Sequence, residues 1–432
     1  MLNRVDRLLD DTVFVNRHKR SDQDFTRDRI LTFRALAVLL LTKGTKSLQL
    51  RMNTFLPKLG RPQATVDKSA YSRARQKLKH TAFIELNQEA VVATMYDDGD
   101  YQTWQGHRVL AIDGSKLQLP DTPSTVKAFG TWTYRAQHKG GITGTCTMAL
   151  GSVLYDVLNR ISVDARLERC DAYEVDIAKA HLTHTTDNDL VIYDRGYCSF
   201  RMMALAKQAK GDFLIRCRSR RSFRVAEEML AGKGPDDVTV QIKPSKNTKV
   251  KIRKEGLPTT LTVRFVRVIL DTGEYEVLAT SLLDQERYPL SCFKELYYLR
   301  WGIETFYGTL KTRLNLENFT GLSPEAIRQD FFATIFLTGV ESILTLEAEA
   351  KLTKQKGGLP KKVNKAVSFN LIKEQAFELF YAKTPSEQRL KQLTDLFLSS
   401  PTLIRKDRKP PRIEGSSRQV LNFWKRQRKI VF

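Results

Sequence analysis

Two short apolar runs in this 432-residue chain each end on an aspartate: Val109-Leu110-Ala111-Ile112 before Asp113, and Leu190-Val191-Ile192-Tyr193 before Asp194. Apolar runs this short, rich in branched residues and followed closely by Gly114 or Gly196, read as buried strands. In open α/β sheets, groups at the carboxyl ends of strands gather along a common edge, so two aspartates 81 positions apart can meet there. A strand-closing aspartate is equally an ordinary turn former, because its carboxylate bonds nearby backbone N–H groups.

The surrounding segments set the fold class. Gly114 is expected to turn the chain into the alternating Lys116-Leu117-Gln118-Leu119, with a third strand over 143–154. A helix over about 170–184, the strand at 190–193, a helix over 199–210 and a strand at 213–215 follow. Strands that first meander and then alternate with helices imply an α/β fold with a mixed sheet and helices packed on it. Residues 218–290 carry β-like runs at 238–242, 250–253, 261–270 and 275–282 among many cations, and read as a β-rich insertion into the core. The reading divides the chain into a helical N-terminal region (1–105), a first part of the core (106–217), the basic insertion (218–290), a second part of the core (291–345) and a helical, basic C-terminal region (346–432). Within the first region, 67–79 reads as a basic helix capped by Asp67, suited either to DNA reading or to a solvated surface.

Charge narrows the partners. The formal net charge is +23, a field that attracts polyanions such as nucleic acid or an anionic membrane surface. With 41% hydrophobic residues spread along most of the chain, a disordered polyelectrolyte is excluded. The longest apolar stretches, 35–41 and 331–340, fall short of the ~20 residues that span a bilayer. The start, Met1-Leu2-Asn3-Arg4, has no signal-peptide core. Five cysteines without a Cys-x-x-Cys pair argue against a disulfide framework or a zinc site and fit a reducing cytoplasm.

A helix is expected from Cys292 past Leu314, with another starting near Pro324. On the first, Tyr297, Arg300, Glu304 and Lys311 project at about 0°, −60°, −20° and −40° at ~100° per residue. One narrow face thus carries a phenol, two cations and a carboxylate where a core stripe would be Leu or Ile. A solvated Arg300/Glu304 pair, worth a few tenths of a kcal/mol, is the plainer reading.

With these residues in view, the chain resembles the bacterial insertion-sequence transposases of the DDE superfamily, in the group marked by a Tyr-x2-Arg-x3-Glu-x6-Lys signature. The signature stands here as Tyr297-Tyr298-Leu299-Arg300-Trp301-Gly302-Ile303-Glu304, closing on Lys311. Two further blocks match, Ala111-Ile112-Asp113-Gly114-Ser115 and Tyr193-Asp194-Arg195-Gly196-Tyr197, with similar context at Leu119-Pro120-Asp121-Thr122 and Leu278-Ala279-Thr280-Ser281. The resemblance covers roughly residues 65–340.

It implies a ribonuclease-H-like core in which Asp113, Asp194 and Glu304 are catalytic and bind two Mg²⁺ ions, with Mn²⁺ as a substitute. All-oxygen donors suit such hard cations. Arg300 and Lys311 are then expected to clamp DNA phosphates, with Tyr297 bonding a neighbouring phosphate and Arg216 approaching the DNA. The implied activity is binding of terminal inverted repeats in double-stranded DNA, cleavage at the element ends and transfer of the 3′-hydroxyls to target DNA. A homodimer or higher synaptic complex in the bacterial cytoplasm, at the nucleoid and away from membranes, is expected. The alternatives are an inactive DNA-binding regulator, or a ribonuclease-H-like nuclease without strand transfer. Some relatives flip a base onto a tryptophan near the end of the insertion during a hairpin step. Here Trp104, Trp132, Trp301 and Trp424 all lie outside 218–290, where Tyr275 is the nearest aromatic, so the resemblance does not extend to that step.

Overall fold

A computed structural model describes residues 1–27, 29–44, 46–60, 66–97, 100–134, 144–355, 358–382 and 387–405; the basic tail and Trp424 lie outside them. The described residues form two compact units. The first is drawn from Met1–Gly99, Lys116–Ala149 and Gly308–Phe432, the second from Asp100–Ser115 and Leu150–Tyr307.

The sheet comprises β1 (Arg108–Gln118), β2 (Thr131–Tyr134), β3 (Gly144–Asp156), β4 (Ile161–Arg169), β5 (Asp189–Tyr193), β6 (Asp212–Arg216), β7 (Asp237–Ile242), β8 (Leu261–Ile269) and β9 (Tyr275–Thr280). Its order is β2-β3-β1-β5-β6-β9-β8-β7, with β4 beside β3. The strands β1, β5 and β6 run parallel, and β9, β8 and β7 are paired antiparallel beyond them. Every residue of β5 is buried, as a central parallel strand requires. A helix, Phe200–Gln208, carries the chain from β5 to β6; Ser199 caps it, accepting from the Met202 N–H at 3.3 Å. The mixed α/β class expected from the sequence is the one found.

Three local expectations are corrected. Gly114 does not turn the chain: β1 continues through it to Gln118. The glycine serves close packing instead, because a Cβ there would sit 3.1 Å from Leu150 Cδ1. Residues 250–253 are not a strand but part of a helix, Lys246–Lys254. Their two-residue alternation is too short to tell a strand from one helical turn, and only Ile252 is buried while Val250 is 74% exposed. Lys251, Arg253 and Lys254 fall in its last turn, where cations complement the helix dipole. Finally, β7, β8 and β9 do not stand apart from the core as an inserted sheet. Leu214↔Thr280, Ile215↔Ala279 and Arg216↔Leu278 join β9 directly to β6, so these strands cover an edge that would otherwise expose unpaired backbone groups.

The first unit is mainly helical. Its longest helix, Pro324–Leu344, is buried over most of its length. Among the described residues no single helix is long and apolar enough to cross a membrane; only the bent pair Pro324–Leu344 and Leu346–Lys354 passes by length and composition together. The expected basic helix forms as Lys68–Arg75, with the Ala70 N–H donating to Asp67 at 2.6 Å. Arg75, however, belongs to the interior rather than to a basic surface. It is 4% exposed and donates to Gln329 Oε1 at 2.6 Å, Thr320 Oγ1 at 2.7 Å, the Ala326 carbonyl at 2.7 Å and Asp330 Oδ1 at 2.8 Å.

Burial by itself would raise the Asp330 pKa, but Arg75, Lys43 and the bonds from Thr320 outweigh it and hold the carboxyl below its ordinary value. A folded-state pKa below the unfolded value gives stabilisation that is complete above pH ~4 and lost as pH falls through the folded value. Asp330→Asn is expected to cost ~3–5 kcal/mol at pH 7, because it strands a buried guanidinium. The deficit should shrink below pH 4; denaturant titrations at both pH values check this, and equal stability at pH 7 would show that the pair contributes nothing.

Candidate active site

Strand register builds the site. Ile112 of β1 pairs with Tyr193 of β5, and Tyr193 with Ile215 of β6. One residue further along, Asp113, Asp194 and Arg216 therefore stand in one row, on strands ~4.8 Å apart. Asp194 leaves β5 and opens a short 3-10 turn, Arg195–Tyr197, closed by the Tyr197 N–H to the Asp194 carbonyl at 3.0 Å. Asp113 keeps its expected neighbour while lying within a strand rather than at a strand's end.

Burial pushes the Asp113 carboxyl up to about 6; the Gly114 N–H, 2.8 Å from Oδ1, and Arg300 work against the rise, while Asp194 and Glu304 add to it as like charges. Asp113, Asp194 and Glu304 thus share one electrostatic neighbourhood. Arg216 closes the row differently, its Nη2 held 2.8 Å from Glu276 Oε1.

The signature helix is not continuous. It is built from Phe293–Tyr298, a break at Leu299 and Arg300, then Trp301–Gly308, and it ends in a π-helical turn, Thr309–Arg313. The uniform 100° arithmetic therefore fails across both joints. Just past the break, Gly302 approaches the turn after β3 so closely that a Cβ would lie 3.3 Å from Val157 Cβ. Within the second unit, Arg300 is 5% exposed and donates from Nη2 to Glu304 Oε1 at 2.7 Å. Burial opposes its charge, yet Tyr297, Glu304 and Asp194 together raise its pKa. Its Nε is buried without a hydrogen-bond partner among the described residues. Tyr297 is no surface phenol: it lies in the apolar core with Leu296 and Phe293, burial raises its pKa, and its hydroxyl donates to the Tyr193 carbonyl at 3.4 Å. Lys311 falls in the first unit, where its ammonium donates to the Lys116 carbonyl at 2.8 Å.

Two residues that the sequence reading passed over lie at this arrangement, and one of them holds it. The Tyr307 hydroxyl lies 2.9 Å from the Asp113 carbonyl and 3.0 Å from that of Gly151, fixing the Trp301–Gly308 helix to β1 at the aspartate itself. Tyr307 follows Glu304 by three positions, and that helical spacing was the only signal in the sequence. Glu174, in the first turn of the helix Glu174–His181, brings Oε1 within 3.4 Å of where a Gly114 Cβ would stand and Oε2 within 3.9 Å of the same point at Gly196. Nothing in the sequence around Glu174 marks it.

The donor set of Asp113, Asp194 and Glu304 is all oxygen, which suits a hard divalent cation and not a soft one. As the side chains stand, no three His, Cys, Asp or Glu groups among the described residues are gathered closely enough to hold an ion, Glu304 being engaged by Arg300.

Residues 104–338 match the family model described as the transposase DDE domain. The transposase InsG for insertion sequence element IS4 of Escherichia coli is 27% identical over 278 residues, 62% of this chain and 58% of that protein, so the chain spans little more than half of its relative. A solved structure of a piggyBac transposase synaptic complex with hairpin DNA aligns over 97% of this chain and 88% of that one, at 8% identity and a TM-score of 0.43. The matched segment holds Asp113, Asp194 and Glu304 and covers more than half of the sequence, and on that ground the chain belongs to the transposase DDE-domain family.

Proposed function

We propose that the protein is a DNA transposase of the Tyr-x2-Arg-x3-Glu-x6-Lys group, which binds terminal inverted repeats, cleaves the element ends and transfers the 3′-hydroxyls to target DNA. The adjacency of Asp113 and Asp194 on neighbouring parallel strands, with Glu304 in the same electrostatic neighbourhood, carries the reading. The strand order β4-β3-β1-β5-β6, three of its members parallel, supports a ribonuclease-H-like core.

In this reading Asp113, Asp194 and Glu304 hold two Mg²⁺ ions. Such ions, when bound, activate the attacking water or 3′-hydroxyl and stabilise charge on the leaving oxygen. The chain's own groups prepare for that state. Asp113 lies within β1 and Asp194 directly follows β5, so the paired strands hold the two backbones side by side. Arg300 holds Glu304 as its ion-pair partner until the carboxylate is required, and the guanidinium so released would pair with a DNA phosphate. Arg216 is balanced by Glu276 and serves DNA only on leaving it. The helices within 1–105 recognise the ends, 218–290 holds DNA against the core, and the C-terminal region binds DNA or a second copy, since two ends must be held together. Intact carboxylates at 113, 194 and 304 favour an active enzyme over a regulator that only binds DNA.

Asp113→Asn, Asp194→Asn and Glu304→Gln should each retain binding of end DNA while cleavage with Mg²⁺ falls by roughly 10³-fold, the scale on which preorganised active-site groups act. Undiminished cleavage in any of them would sink the assignment of that residue, and joined product in a strand-transfer assay separates transposase from simple nuclease. Metal-free protein offers a second check. A carboxyl whose pKa rises to about 6 on folding binds its proton more tightly than in the unfolded chain, so stability declines as pH climbs from ~4 to ~6 and stays lower above that. Asp113→Asn should therefore be more stable than the native protein above pH 6, by up to ~3 kcal/mol, with no difference near pH 4. For the proposed phosphate contact of Lys311, Lys311→Ala should lower the slope of log binding constant against log salt by about one unit. An unchanged slope would put Lys311 outside the interface.

A further inference from the structure

Within the first unit lies a second concentration of charge that has no part in the carboxylate edge. Lys43, Arg51 and Arg75 are all less than a tenth exposed, and each feels the buried carboxylate Asp330. Asp330 is already engaged by Arg75 at 2.8 Å and by the Thr320 N–H at 2.6 Å. The other two cations settle on neutral acceptors, Arg51 on the Leu39 carbonyl at 2.6 Å and Lys43 on the Leu316 carbonyl at 3.0 Å. A fourth cation, Lys373, is partly buried; burial first, then Lys43 and Arg51, lower its pKa to about 8. Lys43 and Lys373 also line a small cavity of ≈ 10 Å³ together with Leu40, Leu41 and Leu337.

Lys373 and Arg51 line a larger, solvent-open cavity of ≈ 340 Å³ as well. Its other charged walls are Lys46, Lys58, Arg313 and a single acid, Glu374. Lys58 has its own partner, Glu378, at 2.8 Å. The volume is that of a small-molecule site. The lining sets five cations against one acid, and an anion entering the cavity would offset their mutual repulsion. Guanidinium forks and ammonium groups converging from several elements suit the multiple oxygens of a phosphate.

We propose that this cavity is a phosphate-binding site, with Lys373 at its inner wall and Arg51 and Arg313 beside it. The phosphate comes either from a DNA strand or from a free phosphorylated molecule. The site is independent of the carboxylate edge, and its test needs no catalysis.

The probe is inorganic pyrophosphate, titrated into the full-length protein without divalent metal, at ionic strength matched with sodium chloride, and followed by calorimetry and thermal melting. Wild type should bind saturably and melt higher with the ligand. Lys373→Met removes a repelled charge, so its ligand-free melting point should rise while pyrophosphate affinity falls at least tenfold. Arg313→Gln, at an exposed position, should weaken affinity several-fold and leave the ligand-free melting point unchanged. Addition of duplex DNA identifies the source. Displacement of pyrophosphate, with a salt slope about one unit lower in Lys373→Met, assigns the phosphate to DNA. Undiminished pyrophosphate binding beside DNA assigns it to a free molecule. No saturable response of wild type at millimolar pyrophosphate, or equal affinity in wild type and both variants, overturns the proposal.

Discussion

The register between β1, β5 and β6 is the constraint on which the site depends. Side chains alternate along a strand, so a slip of one residue in either pairing would send Asp113 or Asp194 to the opposite face and dissolve the row. What prevents the slip is burial. Val109, Leu110, Ala111 and Ile112 meet Leu190, Val191, Ile192 and Tyr193 with almost no exposed surface, and Phe213, Leu214 and Ile215 continue the layer. At ~25 cal/mol per Å² of apolar surface, misregistering such strands is prohibitive. The aspartates gain their adjacency from the apolar residues that precede them.

Against this fixed edge, the segment from Phe293 to Gly308 is adjusted by specific contacts. Gly302 lets it come close to Val157, Tyr307 fixes it to the Asp113 carbonyl, and Tyr297 bonds the carbonyl just before Asp194. Between these anchors Arg300 and Glu304 neutralise each other. The Asp113 pKa is raised by burial first, with Asp194 and Glu304 adding to it, so three acids and one arginine leave a local surplus of negative charge in a chain of net charge +23. That surplus costs stability in the free protein and is the condition under which a cation would be welcome.

Much of this was legible in sequence. The apolar runs ending on Asp113 and Asp194 announce themselves by composition, the Asp67 cap by its position before a helix, and the Arg300–Glu304 pair by its four-residue spacing. The misreadings share one origin. Gly114 looks like a turn and residues 250–253 like a strand because short windows carry only local preference, whereas the reason for each lies in a distant partner, Leu150 for the glycine and burial of Ile252 for the helix. Arg75 is the same lesson in charge: its place in a basic helix suggests a surface, and only the approach of Gln329 and Asp330 from Pro324–Leu344 explains its burial.

By itself the sequence determined the class of fold and the sign of the protein's net charge, because apolar periodicity and residue charge need no neighbours to be read, and it offered Asp113, Asp194 and Glu304 as candidates through resemblance. Tertiary structure alone decided that β7 to β9 extend the core sheet, that the signature helix breaks at Leu299 and Arg300, and that Tyr297 and Arg300 are interior groups. It also placed Tyr307, Glu174 and Lys373 where their chemistry matters. Each of those outcomes is a contact between residues far apart along the chain, and such contacts form only when burial of the whole core holds their backbones in register.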